Sequence, residues 1–131
     1  MAATKQREVE HVPVVLSLTR PDTEVADDEA DRAARLFKAL SDPIRIRLVS
    51  LIRRSAGAEV CFCDIASEFD MPQPSLSHHL GVLVKAGILA RQRRGTWSWY
   101  RLLPEPLQAL EALLRPGGPL LDDPGRDDRC R

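Results

Sequence analysis

Cys61 and Cys63 stand on either side of one phenylalanine, at what reads as the start of a short helix. The thiolate, not the thiol, binds metals, and a helix N-terminus lowers a thiol's pKa. Soft thiolates select soft, thiophilic ions. Residues two apart on a regular helix point about 200° apart, however. Both sulfurs can meet one ion only if the first turn unwinds or lies outside the helix, so ligation there would distort whatever that helix supports. The third cysteine, Cys130, is next to last. Three is an odd number, which argues against a disulfide framework and for ligand or redox chemistry.

A second group of residues suits phosphate. The formal net charge of the 131 residues is zero, yet no Asp or Glu occurs between residues 71 and 104. Lys85, Arg91, Arg93, Arg94 and Arg101 fall there, with His78 and His79. Phosphate binding depends on local potential, so a basic stretch inside a neutral chain points to nucleic acid. No apolar run is long enough to span a membrane and no basic-then-apolar signal opens the chain; a cytoplasmic protein with no membrane partner is expected. There is no phosphate-cradling glycine loop and no nucleophile–base–acid set, so an enzyme is not expected. The lack of a C-x-x-C motif and of a βαβ pattern weighs against a thiol oxidoreductase.

The elements that must position these groups follow from periodicity and breakers. Residues 1–25 read as a flexible arm and 116–131, rich in Pro, Gly and Asp, as a disordered tail. Between them, 26–115 read as one domain. Ala30, Ala33, Ala34, Phe37 and Leu40 recur at helical spacing, and Ser41-Asp42-Pro43 breaks and restarts the chain with a cap and a first-turn proline. A helix over 43–54 places Ile44, Leu48, Leu51 and Ile52 on one side, and helices over 61–69 and 73–87 follow, the last stopped by Gly87. Strands over 88–92 and 97–102 form a hairpin, and a helix over 104–114 aligns Leu107, Leu110, Leu113 and Leu114. The order α-α-α-α-β-β-α, mostly α with a β-hairpin wing, is that of a winged helix-turn-helix. The terminal helices would form a dimer seam.

On the helix beginning at Gln73, Leu76, Leu80, Leu83 and Val84 face inward. His78, Gly81 and Lys85 face outward, with Ser75 and Ser77 on the flanks. Gln73, Ser75, Ser77, His78 and Lys85 therefore suit phosphates and base edges in a major groove, and Gly81 allows close approach. His79, nearer the inward side, is expected to be structural. Arg93 and Arg94 at the hairpin tip suit a narrow minor groove. Trp97, Trp99 and Tyr100 read as packing residues.

These pieces together resemble the ArsR/SmtB family of metal-responsive repressors, and its arsenic-sensing branch in particular. The likeness rests on the run from Leu36 to Arg45, on Val60-Cys61-Phe62-Cys63-Asp64-Ile65, on the run from Gln73 to Leu80, on Gly95-Thr96-Trp97 and on Tyr100-Arg101-Leu102. It covers about residues 30–115. The resemblance implies a homodimeric repressor on double-stranded operator DNA that lets go when an inducer binds. The chain departs from the arsenic-sensing pattern at Ala66, where a third cysteine would stand, and it has no cysteine in its N-terminal arm. Cys130 is the remaining candidate for a third thiolate beside Cys61 and Cys63. Three sulfurs without a fourth ligand favour As(III) or Sb(III) over zinc, which normally wants four. The zinc-sensing site needs histidines on the last helix, and no histidine follows His79. A cadmium- or lead-responsive or a redox-responsive repressor of the same fold remains the alternative, although a disulfide across one residue is strained. A winged-helix module that never touches DNA fits the acid-free stretch less well.

Overall fold

The computed structural model describes residues 25–121; Cys130 and the expected arm up to residue 24 lie outside them. The elements are α1 (Asp27–Leu40), α2 (Pro43–Arg53), a 3-10 turn (Ala56–Ala58), β1 (Glu59–Cys61), α3 (Phe62–Glu68), α4 (Gln73–Lys85), β2 (Leu89–Arg94), β3 (Trp97–Leu102) and α5 (Pro104–Leu114). This is the winged helix-turn-helix order, with one strand added. Strand β1 has three residues, too few for a period to show in sequence. It joins the hairpin to make an antiparallel sheet ordered β1-β3-β2, with Glu59, Val60 and Cys61 opposite Arg101, Tyr100 and Trp99.

The described residues form two units, 34–106 and the flanking chain 25–33 with 107–121. In the first, Asp42 starts α2 as read: its Oδ1 accepts from the Ile44 and Arg45 amides at 2.8 and 3.4 Å, and Pro43 follows at the first turn. Desolvation raises the Asp42 pKa, but those two amides with His79 and Arg45 outweigh it and hold the carboxyl below its ordinary value. Helix α4 ends as Gly87, at φ +83, turns the chain: the Ile88 and Gly87 amides return to the carbonyls of Leu83 and Val84. Leu48, Ile52, Ile65, Leu76, Leu80, Leu83, Ile88 and Leu89 are fully buried, so the inner faces of α2, α3 and α4 and the start of the wing supply the core.

On α1 the buried stripe is Ala33, Leu36 and Ala39, while Ala30, Ala34 and Phe37 stay exposed. Both stripes have helical spacing, and Leu36 carries the larger aliphatic bulk of the buried one. In the second unit, α5 buries Ala109, Leu110, Ala112 and Leu113. Residues 116–121, at the start of the expected tail, form a turn. Gly117 takes φ +82, and Gly118 is buried so close to the Ala112 carbonyl that any side chain there would collide with it. The Leu120 amide then returns to the Leu113 carbonyl. Glycine conformations that read as disorder in sequence here build a tight turn.

Candidate DNA interface and thiol site

All of α4's outward residues named above are open to solvent: Gln73, Ser75, Ser77, His78, Gly81 and Lys85. Their neighbours Leu76, Leu80 and Leu83 are completely buried, which fixes the helix face. Between α4 and the hairpin lies a cleft of about 510 Å³. Ser77, Gly81 and Lys85 line it from the helix, and Arg91, Arg93, Thr96, Trp97 and Ser98 line it from the hairpin. Three cations and the hydroxyls of Ser77, Thr96, Ser98 and Tyr100 thus line one groove, a chemistry suited to phosphate oxygens. The structure brings Ser77, Lys85 and Arg93 together there. Gln73, Ser75 and His78 lie outside the cleft on the exposed part of α4.

Arg94 departs from its expected place. Residues along a strand alternate between faces, so Arg94 sits on the opposite face from Arg91 and Arg93. Its guanidinium donates to both Glu59 carboxylate oxygens at 3.2 and 2.8 Å and to Gln92 Oε1, and lies 4.4 Å from the Trp99 ring centre. The bond to Glu59 raises the Arg94 pKa and lowers that of Glu59. Most of its donors are therefore committed within the protein. Arg91, Thr96 and Ser98 were missed as cleft residues; the alternation that pairs Arg91 with Arg93 was the available signal. Trp97 corrects the packing assignment: it is 53% exposed, because it opens β3 beside the turn, where no core lies beneath. Trp99 is half-buried and Tyr100 buried. Burial raises the Tyr100 pKa against the opposing effect of Arg91, which bonds its side chain.

His79 has the structural place its helix angle suggests. Arg45 Nη1 lies 3.2 Å from His79 Nδ1, and arginine can only donate, so Nδ1 accepts. Arg45 Nε also donates to the Ala39 carbonyl at 2.6 Å. One side chain thereby ties the end of α1 to the start of α2 and to α4.

Gly81 offers a direct separation of fold from function. A Cβ there would meet nothing within 4 Å, and the residue is helical. Gly81→Ala is expected to raise thermal stability by about 0.5–1 kcal/mol, because alanine is the better helix former. If DNA approaches this backbone closely, the same methyl lowers operator affinity. Thermal melting and DNA titration of one variant check both signs; a variant with unchanged affinity would remove Gly81 from the contact surface.

The two thiols meet where β1 becomes α3. Cys61 is the last residue of β1 and the N-cap of α3, with extended backbone at φ −69 and ψ 144, and its side chain caps nothing. Cys63 is the second residue of the helix. Because Cys61 stands outside the helix, the angular obstacle disappears: the sulfurs lie 2.7 Å apart. No unwinding of α3 is needed to bring them to one ion, which corrects the distortion expected from helical spacing. Cys61 is buried and Cys63 exposed, so a ligand could reach the pair from the Cys63 side. The Cys63 pKa is raised rather than lowered, first by the hydrogen bond shared with Cys61, then by desolvation and by the charges of Cys61 and Asp64. The Asp64 amide at the helix start lowers it by less. Among the described residues no three His, Cys, Asp or Glu side chains gather as a metal site, so two thiols alone are in place.

The model of the bacterial regulatory protein, arsR family, matches residues 42–91, from the Asp42 cap to the second strand. A chain 34% identical over 87 residues, an uncharacterized HTH-type transcriptional regulator of Methanocaldococcus jannaschii, is matched over 96% of its length and 66% of this one. The chain belongs to the ArsR family. As an ArsR-family transcriptional regulator it is also 41% identical over 80 residues to the arsenic resistance transcriptional regulator ArsR1 of Pseudomonas putida. That match covers 61% of each chain, so this chain spans about three fifths of that relative's length. Among solved ArsR-type structures, the AntR antimony-specific transcriptional repressor is 32% identical, with a TM-score of 0.58 over 69% of this chain and 81% of that one. Regulators of the ArsR family bind DNA through the helix-turn-helix that α3 and α4 form here. Among the described residues, no helix is long and apolar enough to cross a membrane.

Proposed function

We propose that this ArsR-family regulator is a metalloid-responsive repressor, which binds operator DNA as a homodimer and dissociates when Cys61 and Cys63 hold As(III) or Sb(III). The observation that carries the reading is the meeting of the two sulfurs at the junction that begins the helix-turn-helix. The arsenic- and antimony-related names of its relatives agree with it. Gln73, Ser75, Ser77 and His78 would reach bases and phosphates from α4, and Lys85 and Arg93 would hold phosphate from both walls of the cleft. Exposed apolar side chains at Phe37 and Leu114 suit a second copy of the chain, which would bring two recognition helices to two half-sites. Cys130 would supply the third thiolate.

The donor set suits the ligand. Thiolates are soft, and a three-sulfur site needs no fourth group for As(III) or Sb(III). Binding requires both thiols to give up their protons, including the one shared between them. A ligand that prefers one arrangement of the β1–α3 junction and DNA that prefers another are coupled reciprocally. At about 1–3 kcal/mol the coupling changes affinity roughly 5- to 150-fold.

The test is fluorescence anisotropy of a labelled operator with the reduced full-length protein. Arsenite or antimonite should release the DNA by a factor in that range, and zinc should not. Release by cadmium or lead alone would transfer the reading to another soft ion, and release by peroxide alone to a redox signal. No release by any of them would leave a DNA-binding regulator with a different signal.

A further inference from the structure

The bonds of Arg94 have a geometry that reaches beyond the wing itself. Strands β1 and β2 are not neighbours; β3 lies between them. Two strand spacings are about 10 Å, and the Glu59 and Arg94 side chains close that distance across the face of β3 with a two-pronged ion pair. The strand position they cross is Trp99, over which the guanidinium lies. Trp99 is also the register partner of Cys61 on one side and of Gln92 on the other. Glu59 and Cys61 are two residues apart in one strand and so share this face. Strand β1 has only three residues of pairing with β3, few enough that a side-chain clamp matters to where it lies.

We infer that Glu59 is a positioning residue for the wing: through Arg94 it ties the strand that ends in Cys61 to the hairpin that carries Arg93. The inference rests on the reading of this hairpin as a DNA-contacting wing. Its consequence is a route from the thiols to DNA through the sheet, besides any change at the β1–α3 junction itself. Any ligand that pulls Cys61 moves β1, and the clamp passes that movement to the hairpin tip. Arg94 then acts as a link rather than as a DNA contact.

The test compares the full-length protein with Glu59→Gln, Arg94→Met and the double variant, first by backbone amide exchange without DNA. Both side chains are partly exposed, 28% and 39%, so the effect is modest. Amides over 92–98 should exchange about three- to fivefold faster in either single variant. The double variant should be no faster than Arg94→Met alone, because without the guanidinium Glu59 has no clamp left to lose, whereas Arg94→Met also removes the contacts with Gln92 and Trp99. Exchange in α4 should stay the same, which shows that the fold is intact. Unchanged exchange at the tip, or effects that add in the double variant, would overturn the clamp. The second measurement is operator binding by Arg93→Ala made in both backgrounds. Its penalty should shrink when Glu59→Gln is already present; an equal penalty would show that the clamp does not position the wing for DNA. A wild-type protein that keeps its operator in arsenite would sink the metalloid reading and leave the exchange result standing.

Discussion

Cys61→Ser and Cys63→Ser should each bind operator DNA as the wild type does and fail to release it in arsenite. Serine keeps the size of cysteine and replaces a soft, ionisable sulfur with a hard hydroxyl that stays protonated. With the sulfurs only 2.7 Å apart in the unliganded fold, removing either one leaves a single thiol in place of a chelating pair. The expected 5- to 150-fold loss of DNA affinity on adding arsenite should then fall to about twofold or less. The position of Cys61 adds a control that separates ligation from folding. It occupies the N-cap of α3 and makes no capping bond, whereas serine is among the preferred caps. Cys61→Ser should therefore hold α3 at least as firmly, and its operator affinity without arsenite should be unchanged or higher. Cys130→Ser, measured beside them, reports whether the third thiolate comes from that residue. Arsenite release that survives in both Cys61→Ser and Cys63→Ser would remove this pair from the sensing site.

The second large effect is expected in DNA binding, where Lys85 and His78 should fail in different ways. Lys85 lines the cleft as a cation and should contact phosphate, which carries no sequence information. Each phosphate contact contributes about 0.9 to the slope of log affinity against log salt, and the proposed homodimer would present Lys85 twice. Lys85→Ala should thus reduce the slope by about 1.8, or roughly 60-fold in affinity between 1 M and 0.1 M salt, for operator and random DNA alike. His78 lies outside the cleft on the open face of α4, where base edges would pass. His78→Ala should cost about 1 kcal/mol or more at the operator and little on random DNA, with the salt slope nearly unchanged. Arg54→Ala serves as the control: it removes an exposed positive charge that does not line the cleft. If Arg54→Ala flattened the salt dependence as much as Lys85→Ala, general charge rather than the cleft would govern binding.

Much of this molecule could be read before any coordinates. The break at Ser41-Asp42-Pro43, the inward leucines of α4, the stop at Gly87 and the hairpin around Gly95 each rest on short-range physics: caps, helical periodicity and backbone conformations that glycine adopts cheaply. The outward face of α4 followed from the same periodicity, because a helix with three fully buried leucines has only one side left for DNA. Even the structural role of His79 was visible in its angle on the helix, though its partner Arg45, 34 residues away, was not.

Tertiary structure decided what depends on groups far apart in the chain. Strand β1 exists because β3 offers it partners forty residues later, and no local signal marks three residues for that role. That strand takes Cys61 out of the helix, so two thiols that helical spacing sets apart are brought together, and the hydrogen they share raises a pKa that a helix terminus alone would lower. The same strand carries Glu59, which holds Arg94 on the face that strand alternation sets opposite Arg91 and Arg93. The sequence by itself determined the elements other than β1, the outward face of α4 and the pair of cysteines. Only the folded chain decided which side chains meet, because a long-range contact depends on where two elements lie and not on the residues beside it.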